Sequence, residues 1–225
     1  MKREIVETGD GSKTIRILDL DENYHSSHGA LQEANHVFIN YGLLEFKEKS
    51  QISIFEMGFG TGLNSFLSAI KAYELKLKIE YSGVEAYPVS KEEILKLEYC
   101  KLVGDSNVDL YNKIHSVSWN GMNEISDFFS LNKIHSELQN LELANESFDI
   151  IYYDAFGPRA QEEMWSVELF QKMYDSIKDG GFLVTYCAKG QVKRNMKAVG
   201  FTIEALPGPP GKREMTRAWK NNAVK

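Results

Sequence analysis

Apolar and polar positions along the chain follow two periods in turn, and their order predicts strands separated by helices. Residues 52–55 form a short apolar run of β-branched and aromatic residues, the mark of a buried strand. Three closely spaced glycines follow, then a helical pattern in Phe66, Leu67, Ile70 and Tyr73. Further strands are predicted over residues 77–84, 114–119, 148–153, 182–186, 201–205 and 214–219. Helices are predicted over residues 90–102, with Ile94, Leu95, Leu97 and Leu102 on the apolar side, and over 164–177 and 192–199. Residues 120–146 read as one or two helices, through Ile125, Phe128, Phe129 and Leu131 and then Ile134, Leu138 and Leu141. Ahead of these, residues 5–20 read as two strands about a Thr8-Gly9-Asp10-Gly11-Ser12 turn. Residues 30–39 read as a helix started by a serine cap just upstream, at Ser26-Ser27. Alternating strands and helices with no fixed repeat make one α/β unit, a Rossmann-like doubly wound sheet. An antiparallel edge hairpin around residues 207–211 closes it, so residues 1–45 are a hairpin-and-helix extension and 46–225 the main domain.

The glycines lie in Phe55-Glu56-Met57-Gly58-Phe59-Gly60-Thr61-Gly62-Leu63-Asn64, between the first sheet strand and the next helix. That layout belongs to a nucleotide-cofactor site at the carboxyl edge of a parallel sheet, where a Cβ would hold the backbone off the ligand. A plain tight turn would use the same residues. The spacing is G-x-G-x-G, with Leu63 where the dinucleotide pattern has its third glycine. This form is usual in proteins that bind S-adenosylmethionine, which has no pyrophosphate to cradle. Glu85 ends the next strand, 23 residues after Gly62, where such a site puts the acid that accepts both ribose hydroxyls. Asp154 ends the strand over residues 148–153, beside the switch point where ligands bind. Its alternative role is to cap a turn. Phe156, Gly157 and Pro158 form a rigid loop able to wall a flat substrate. Tyr152 and Tyr153 point to opposite faces, so at most one meets the pocket, and Trp165 is either core or a base-stacking platform. Tyr24, His28, Glu33 and His36 are within reach of a substrate or are packing residues.

Composition adds constraints. With 43% hydrophobic and 26% charged residues in 225, the chain can bury one full core. No apolar run nears the roughly 18 to 20 residues of a membrane helix, no signal-peptide core is visible, and the expected address is cytoplasmic. Cys100 and Cys187 are far apart, and reduced thiols are expected rather than a single disulfide. The five histidines form no ligand set, so no metal is expected. Net charge is −6, but residues 188–225 hold nine basic residues against two acidic ones, a net of +7, leaving −13 on the preceding 187. This is either a basic face for a phosphate backbone or an ordinary solvated surface.

Four segments together resemble one family: F-E-M-G-F-G-T-G-L-N at 55–64, Y-D-A-F-G-P at 153–158, Met164-Trp165, and K-R-E-M at 212–215. It is the MnmC-like tRNA methyltransferase family, whose product is 5-methylaminomethyl-2-thiouridine at the wobble position. Gly29-Ala30-Leu31-Gln32-Glu33 with Val37-Phe38 is similar to its entry segment, and the resemblance spans about residues 20–218. It implies a class I S-adenosylmethionine-dependent fold that methylates the aminomethyl nitrogen of the modified uridine in tRNA. By carry-over Gly58, Gly60 and Gly62 line the cofactor, with Glu56 and Asn64 beside them, and Glu85 holds the ribose. Asp154 sits at the methyl-transfer site, Phe156 contacts substrate, and Lys212 and Arg213 lie on the tRNA side. Two departures stand out. Family members often carry a flavin-dependent oxidoreductase domain, for which this chain is too short, so a stand-alone, MnmD-like form without flavin is expected. The family's acid near the adenine falls at Asn120-Gly121, where Asn120 is the substitute acceptor. Competing readings are a methyltransferase of the same fold acting on a small molecule or protein, a non-catalytic RNA-binding protein with a degenerate site, and a nicotinamide oxidoreductase disfavoured by the glycine spacing.

Overall fold

The structure, a computed structural model, describes residues 2–221; Lys225 of the basic segment lies outside the described residues. The chain begins with β1 (Arg3–Glu7), β2 (Lys13–Ile17) and β3 (Glu22–Asn23), a small antiparallel sheet, followed by α1 (Ala30–Ala34), which continues as wider turns to Asn40. Then come β4 (Gln51–Met57), α2 (Leu63–Leu75), β5 (Lys78–Glu85), α3 (Lys91–Leu97), α4 (Tyr99–Val103) and α5 (Val108–Ser116). A hairpin of β6 (Met122–Ser126) and β7 (Phe129–His135) precedes β8 (Phe148–Tyr153), α6 (Val167–Ser176) and β9 (Ile177–Thr185). The described chain closes with α7 (Gly190–Ala198), β10 (Thr202–Pro207) and β11 (Glu214–Trp219). The large sheet runs β10-β11-β9-β8-β4-β5-β7-β6, with the five strands from β9 to β7 parallel and an antiparallel hairpin at each edge. Among the described residues no helix is long and apolar enough to cross a membrane.

Strand parity builds two cores, one on each face. Ile52 and Ile54 of β4 and Ile150 and Tyr152 of β8 pack with Phe66, Ala69 and Ala72 of α2. Phe55, Met57, Ile151 and Tyr153 point the other way, onto Leu169, Phe170 and Met173 of α6 and Val192 and Met196 of α7. Each such fully buried large side chain contributes about 1.5–3 kcal/mol of transfer free energy. The amino-terminal extension has no core of its own: Ile15, Ala30, Val37 and Phe38 belong to the first cluster.

Four sequence expectations are corrected. The expected strand over 114–119 is the end of α5 and a loop, because Tyr111 and Ile114 share a buried helical face. The expected helices over 120–146 are instead the β6–β7 hairpin. The inward positions of β7 are Phe129, Leu131 and Lys133, and Lys133 is only 2% exposed. Its ammonium donates to the His115 carbonyl at 3.1 Å and lies 5.2 Å from the Trp119 ring centroid. A lysine on the core face erases the alternation that marks a strand. The predicted helix over 90–102 begins with a Ser90–Glu93 capping box but breaks at Glu98 (φ 54°), and Leu95 (71%) and Leu102 (50%) are exposed rather than packed. The cap of α1 also comes from elsewhere. Ser12 Oγ accepts from the Ala30 amide at 3.0 Å and Asp10 Oδ2 from that of Gln32 at 2.9 Å, so the β1–β2 turn caps the helix.

Asp149, 5% exposed at the foot of the sheet, accepts from Lys49 and Lys178 (2.8 Å each) and from the Ser53 amide (2.9 Å). Burial pushes its carboxyl up, but the two ammonium groups and the amide together hold it below its ordinary value. Its stabilising contribution is therefore present above the unfolded carboxylate range and lost as pH falls through the lower folded value. Asp149→Ala is expected to cost about 2 kcal/mol at pH 7, discounted because both lysines are half-exposed. Urea denaturation checks this, with the gap between variant and wild type narrowing below about pH 4.

Candidate active site

Crossing from β7 back to β8 puts β4 and β8 side by side, and the site forms where their carboxyl ends meet. The Asp154 amide donates to the Met57 carbonyl at 3.0 Å, while the Gly58 and Phe59 amides donate to the Val84 carbonyl at 3.1 and 3.0 Å. The glycine loop is thus pinned to both neighbouring strands. Gly58, Gly60 and Gly62 all have positive φ (89°, 49°, 71°). A Cβ on Gly58 would stand 2.6 Å from the Asp154 carbonyl oxygen, so glycine is required there twice over. Glu85 accepts from the Gly60 amide (2.9 Å) on one oxygen and from the Tyr87 amide (2.8 Å) on the other. Each oxygen keeps a free lone pair.

The Asn64 amide bridges two acids, donating to Glu56 Oε1 and to Asp154 Oδ2, both at 2.9 Å. Glu56 is wholly buried, and burial pushes its carboxyl well above the usual range; the Asp154 charge acts in the same direction and the Asn64 bond against it. Tyr81 lies beside it, although neither its hydroxyl nor Glu56 Oε2 makes a hydrogen bond of good geometry. Asp154 is half-buried at the floor of the cavity. Burial, followed by the Glu33 charge, pushes it up to about 7, against the pull of Asn64 and Lys212.

The cavity holds about 210 Å³. Its roof is the amino-terminal extension, with Ile17, Leu20, Tyr24 and His25 facing the glycine loop, and Tyr24 meets Phe156 edge-on at 5.3 Å. Its charged lining is entirely acidic: Glu85, Glu137, Glu163 and Asp154. Burial pushes His25 down to about 4, so that ring adds no positive charge at neutral pH. Such a lining repels phosphates and favours a cation. The end of β7 supplies Ser136, Glu137, Leu138 and Gln139 across from Glu85.

Residues 124–221 match a family model described as S-adenosyl-L-methionine-dependent methyltransferase. The tRNA 5-methylaminomethyl-2-thiouridine biosynthesis bifunctional protein MnmC of Cupriavidus metallidurans is 32% identical over 222 residues, covering 89% of this chain and 32% of the relative. The protein of the same name from Leptospira interrogans is 29% identical, covering 87% and 32%. The chain is MnmC-like. It spans about a third of the length of these curated relatives. The crystal structure of MnmC2 from Aquifex aeolicus superposes with a TM-score of 0.75 at 24% identity, covering 99% of this chain and 71% of that one. Spermidine synthase from Thermotoga maritima gives 0.56 at 10% identity, covering 99% and 72%. The fold is that of the class I S-adenosylmethionine-dependent methyltransferases. The cofactor fits what the cavity offers: exposed glycine backbone, a strand-end carboxylate with free lone pairs, the apolar walls of Leu138 and Met164, and acidic charge suited to a sulfonium.

In this MnmC-like chain Gly58, Gly60, Asn64, Glu85, Asp154 and Phe156 line the same cavity, while Gly62 ends the loop as the amino-terminal cap of α2. Glu56 is not on the lining; it stands behind the loop and holds Asn64. Asn120 is not brought to the cavity either. Its side-chain oxygen accepts from the His135 amide at 3.0 Å, and its backbone (φ 60°) holds a turn. A helical reading of residues 120–146 conceals the residues across from Glu85; the period-two spacing of Phe129 and Leu131 is the signal that reveals β7. The Lys212 side chain is partly exposed (33%) but pairs with Glu33 at 2.6 Å, whereas Arg213 lies on the surface. The basic segment is likewise divided. Arg217 and Lys220 are buried, the first against Glu204 and Glu45 and the second on the Ile177 carbonyl, and Lys193 pairs with Glu214. Lys189, Arg194, Lys197 and Arg213 are exposed, with no acidic partner among the described residues. Trp165 is core, and its indole donates to the Phe156 carbonyl at 2.9 Å, steadying the loop over the cavity. Both cysteines are free and buried. His36 bonds the Pro207 carbonyl at 2.8 Å, and the His28 ring packs under Gly211, so both serve the contact between the extension and the β10–β11 loop.

Gly58→Ala is expected to weaken S-adenosylmethionine binding at least about tenfold by calorimetry, since strain and steric clash act together. Gly121→Ala, whose Cβ would meet nothing within 4 Å, is the control and should bind as wild type.

Proposed function

We propose that the chain catalyses S-adenosylmethionine-dependent N-methylation of the aminomethyl group of 5-aminomethyl-(2-thio)uridine at the tRNA wobble position, giving 5-methylaminomethyl-(2-thio)uridine. The observation that carries this reading is the all-acidic cavity with Asp154 on its floor, beside the glycine loop at the switch point. S-adenosylmethionine supplies a methyl group already activated on a sulfonium. The backbone of Gly58, Gly60 and Gly62 and the carboxylate of Glu85 would hold the cofactor, with Asn64 tying that side to Asp154. Phe156 and Tyr24 wall a flat base. The exposed set of Lys189, Arg194, Lys197 and Arg213 is suited to phosphates, for which the cavity itself is not. Residues 1–45 act as the roof and 46–225 as the transfer domain. With tRNA as partner, the working address is cytoplasmic.

What remains for the protein is alignment and a proton. A free alkylamine, with a pKa of roughly 10, is mostly protonated at neutral pH and lacks a free lone pair. Asp154 would accept a proton from it, and a carboxyl that burial pushes up to about 7 suits a base working near neutrality. Asp154→Asn is expected to lower kcat by about 10²–10⁴-fold with cofactor affinity unchanged. The decisive assay is transfer of labelled methyl to tRNA carrying 5-aminomethyluridine, with unmodified tRNA as control. Label on the aminomethylated tRNA alone is the expected result. Label on neither, with cofactor bound, would remove the tRNA reading.

A further inference from the structure

Lys212 belongs to the loop between β10 and β11 and Glu33 to α1, yet their side chains meet at 2.6 Å. The same ammonium lies 3.8 Å from the centroid of the Tyr186 ring. Glu33 is 7% exposed, and its second oxygen accepts from the Ser26 amide at 2.7 Å, fastening the segment that carries Tyr24 and His25 over the cavity. Tyr186 donates from its hydroxyl to the carbonyl of Ala155, the residue after Asp154, at 2.8 Å. The ammonium is therefore clamped between a buried carboxylate and a ring that is itself bonded to the Asp154 segment. Although the Lys212 side chain is 33% exposed, its ammonium is engaged by its own protein, unlike Arg213 beside it, which has no acidic partner among the described residues.

We propose that Lys212, clamped by Glu33 over Tyr186, is a positioning residue that sets how readily Asp154 and the incoming amine give up their shared proton. The inference rests on the methyl-transfer reading above. In the transfer the amine's lone pair becomes the new N–C bond, the electron pair of the C–S bond stays on sulfur, and the nitrogen's surplus proton leaves to Asp154 or water. The amine must be neutral beforehand, although a carboxylate beside it favours the ammonium form. A fixed cation held over Tyr186, near enough for its charge to act on that carboxylate, opposes this, and Glu33 limits how strongly.

Glu85, Glu137 and Glu163 share the cavity lining with Asp154 but are not among the charges that move its carboxyl. From β4 comes Glu56 and from β9 and its end Tyr186 and Cys187, all kept protonated by burial; from the extension comes His25, kept neutral. Glu22 of the extension pairs with Arg159, Asp10 is engaged at the β1–β2 turn, and Glu85 of β5 faces its own loop. Lys189 and Lys193 lie on the Cys187 side, the latter paired with Glu214. Glu33 and Lys212 are the two charges felt most directly at Asp154 itself.

The test is the pH dependence of single-turnover methyl transfer at saturating cofactor and aminomethylated tRNA. Lys212→Met should move the acidic limb up by about one pH unit, and Glu33→Gln should move it down by about as much. The double variant, which removes one charge of each sign, should return close to wild type, and Lys212→Arg should keep the wild-type limb. In the free protein, without cofactor or tRNA, infrared titration of the Asp154 carboxyl should follow the same directions. Single variants that leave both limb and titration in place would overturn the inference. So would Lys212→Met raising KM for tRNA and lowering the salt slope by about one with no pH shift, the behaviour of a phosphate contact. A wild-type protein that methylates no tRNA would instead remove the underlying reading, while the free-protein titration still decides the coupling.

Discussion

A backbone hydrogen bond from Asp154 to Met57 joins the carboxyl ends of β4 and β8, and the rest of the site depends on it. It brings two chain segments about a hundred residues apart within contact distance and leaves no room for a Cβ at Gly58. The glycine loop must then turn through positive φ, which exposes its backbone to the cavity. It also presents Asn64, at the start of α2, to Asp154 and Glu56 together. The glycine-loop side and the Asp154 side of the cavity are in this way one piece of sheet edge.

The charge pattern follows from that geometry. Glu56, deep under α2, is held neutral by burial, so the Asn64 amide does not face two full charges. Asp154, at the cavity floor, is poised between its forms. The lining around it is acidic and the cationic side chains stand outside, with Lys212 turned inward on Glu33. A site that would handle a sulfonium and an amine thus keeps its positive side chains for clamping its own walls and for its exterior.

The amino-terminal extension is a roof rather than an appendage. It contributes Tyr24 and His25 to the cavity, its β1–β2 turn caps α1, and it is tied to the far end of the chain through Glu33–Lys212 and His36–Pro207. The extension and the β10–β11 loop therefore meet although they are far apart in sequence, which couples the order of the roof to that loop.

Local pattern was enough to reveal the strands β4, β5 and β8, the glycine loop, Glu85 and Asp154, because each is marked by short-range features: apolar runs, turn glycines and an acid at a strand end. The β6–β7 hairpin was hidden, since Lys133 takes an inward position that only the burial of its stem and the Trp119 ring make tolerable. With it were hidden Ser136 to Gln139; Asn120, expected beside the adenine, lies off the cavity lining with its side-chain oxygen on the His135 amide. Nor could the sequence say which of its clustered basic residues face solvent, since Arg217 and Lys220 are buried by strand pairing and Lys212 is turned inward by a residue 179 positions away. By itself the sequence determined the alternation of elements and the chemistry of the sheet edge, because those depend on neighbours in the chain. Only the tertiary structure decided which charges meet, because burial and ion pairing depend on neighbours in space.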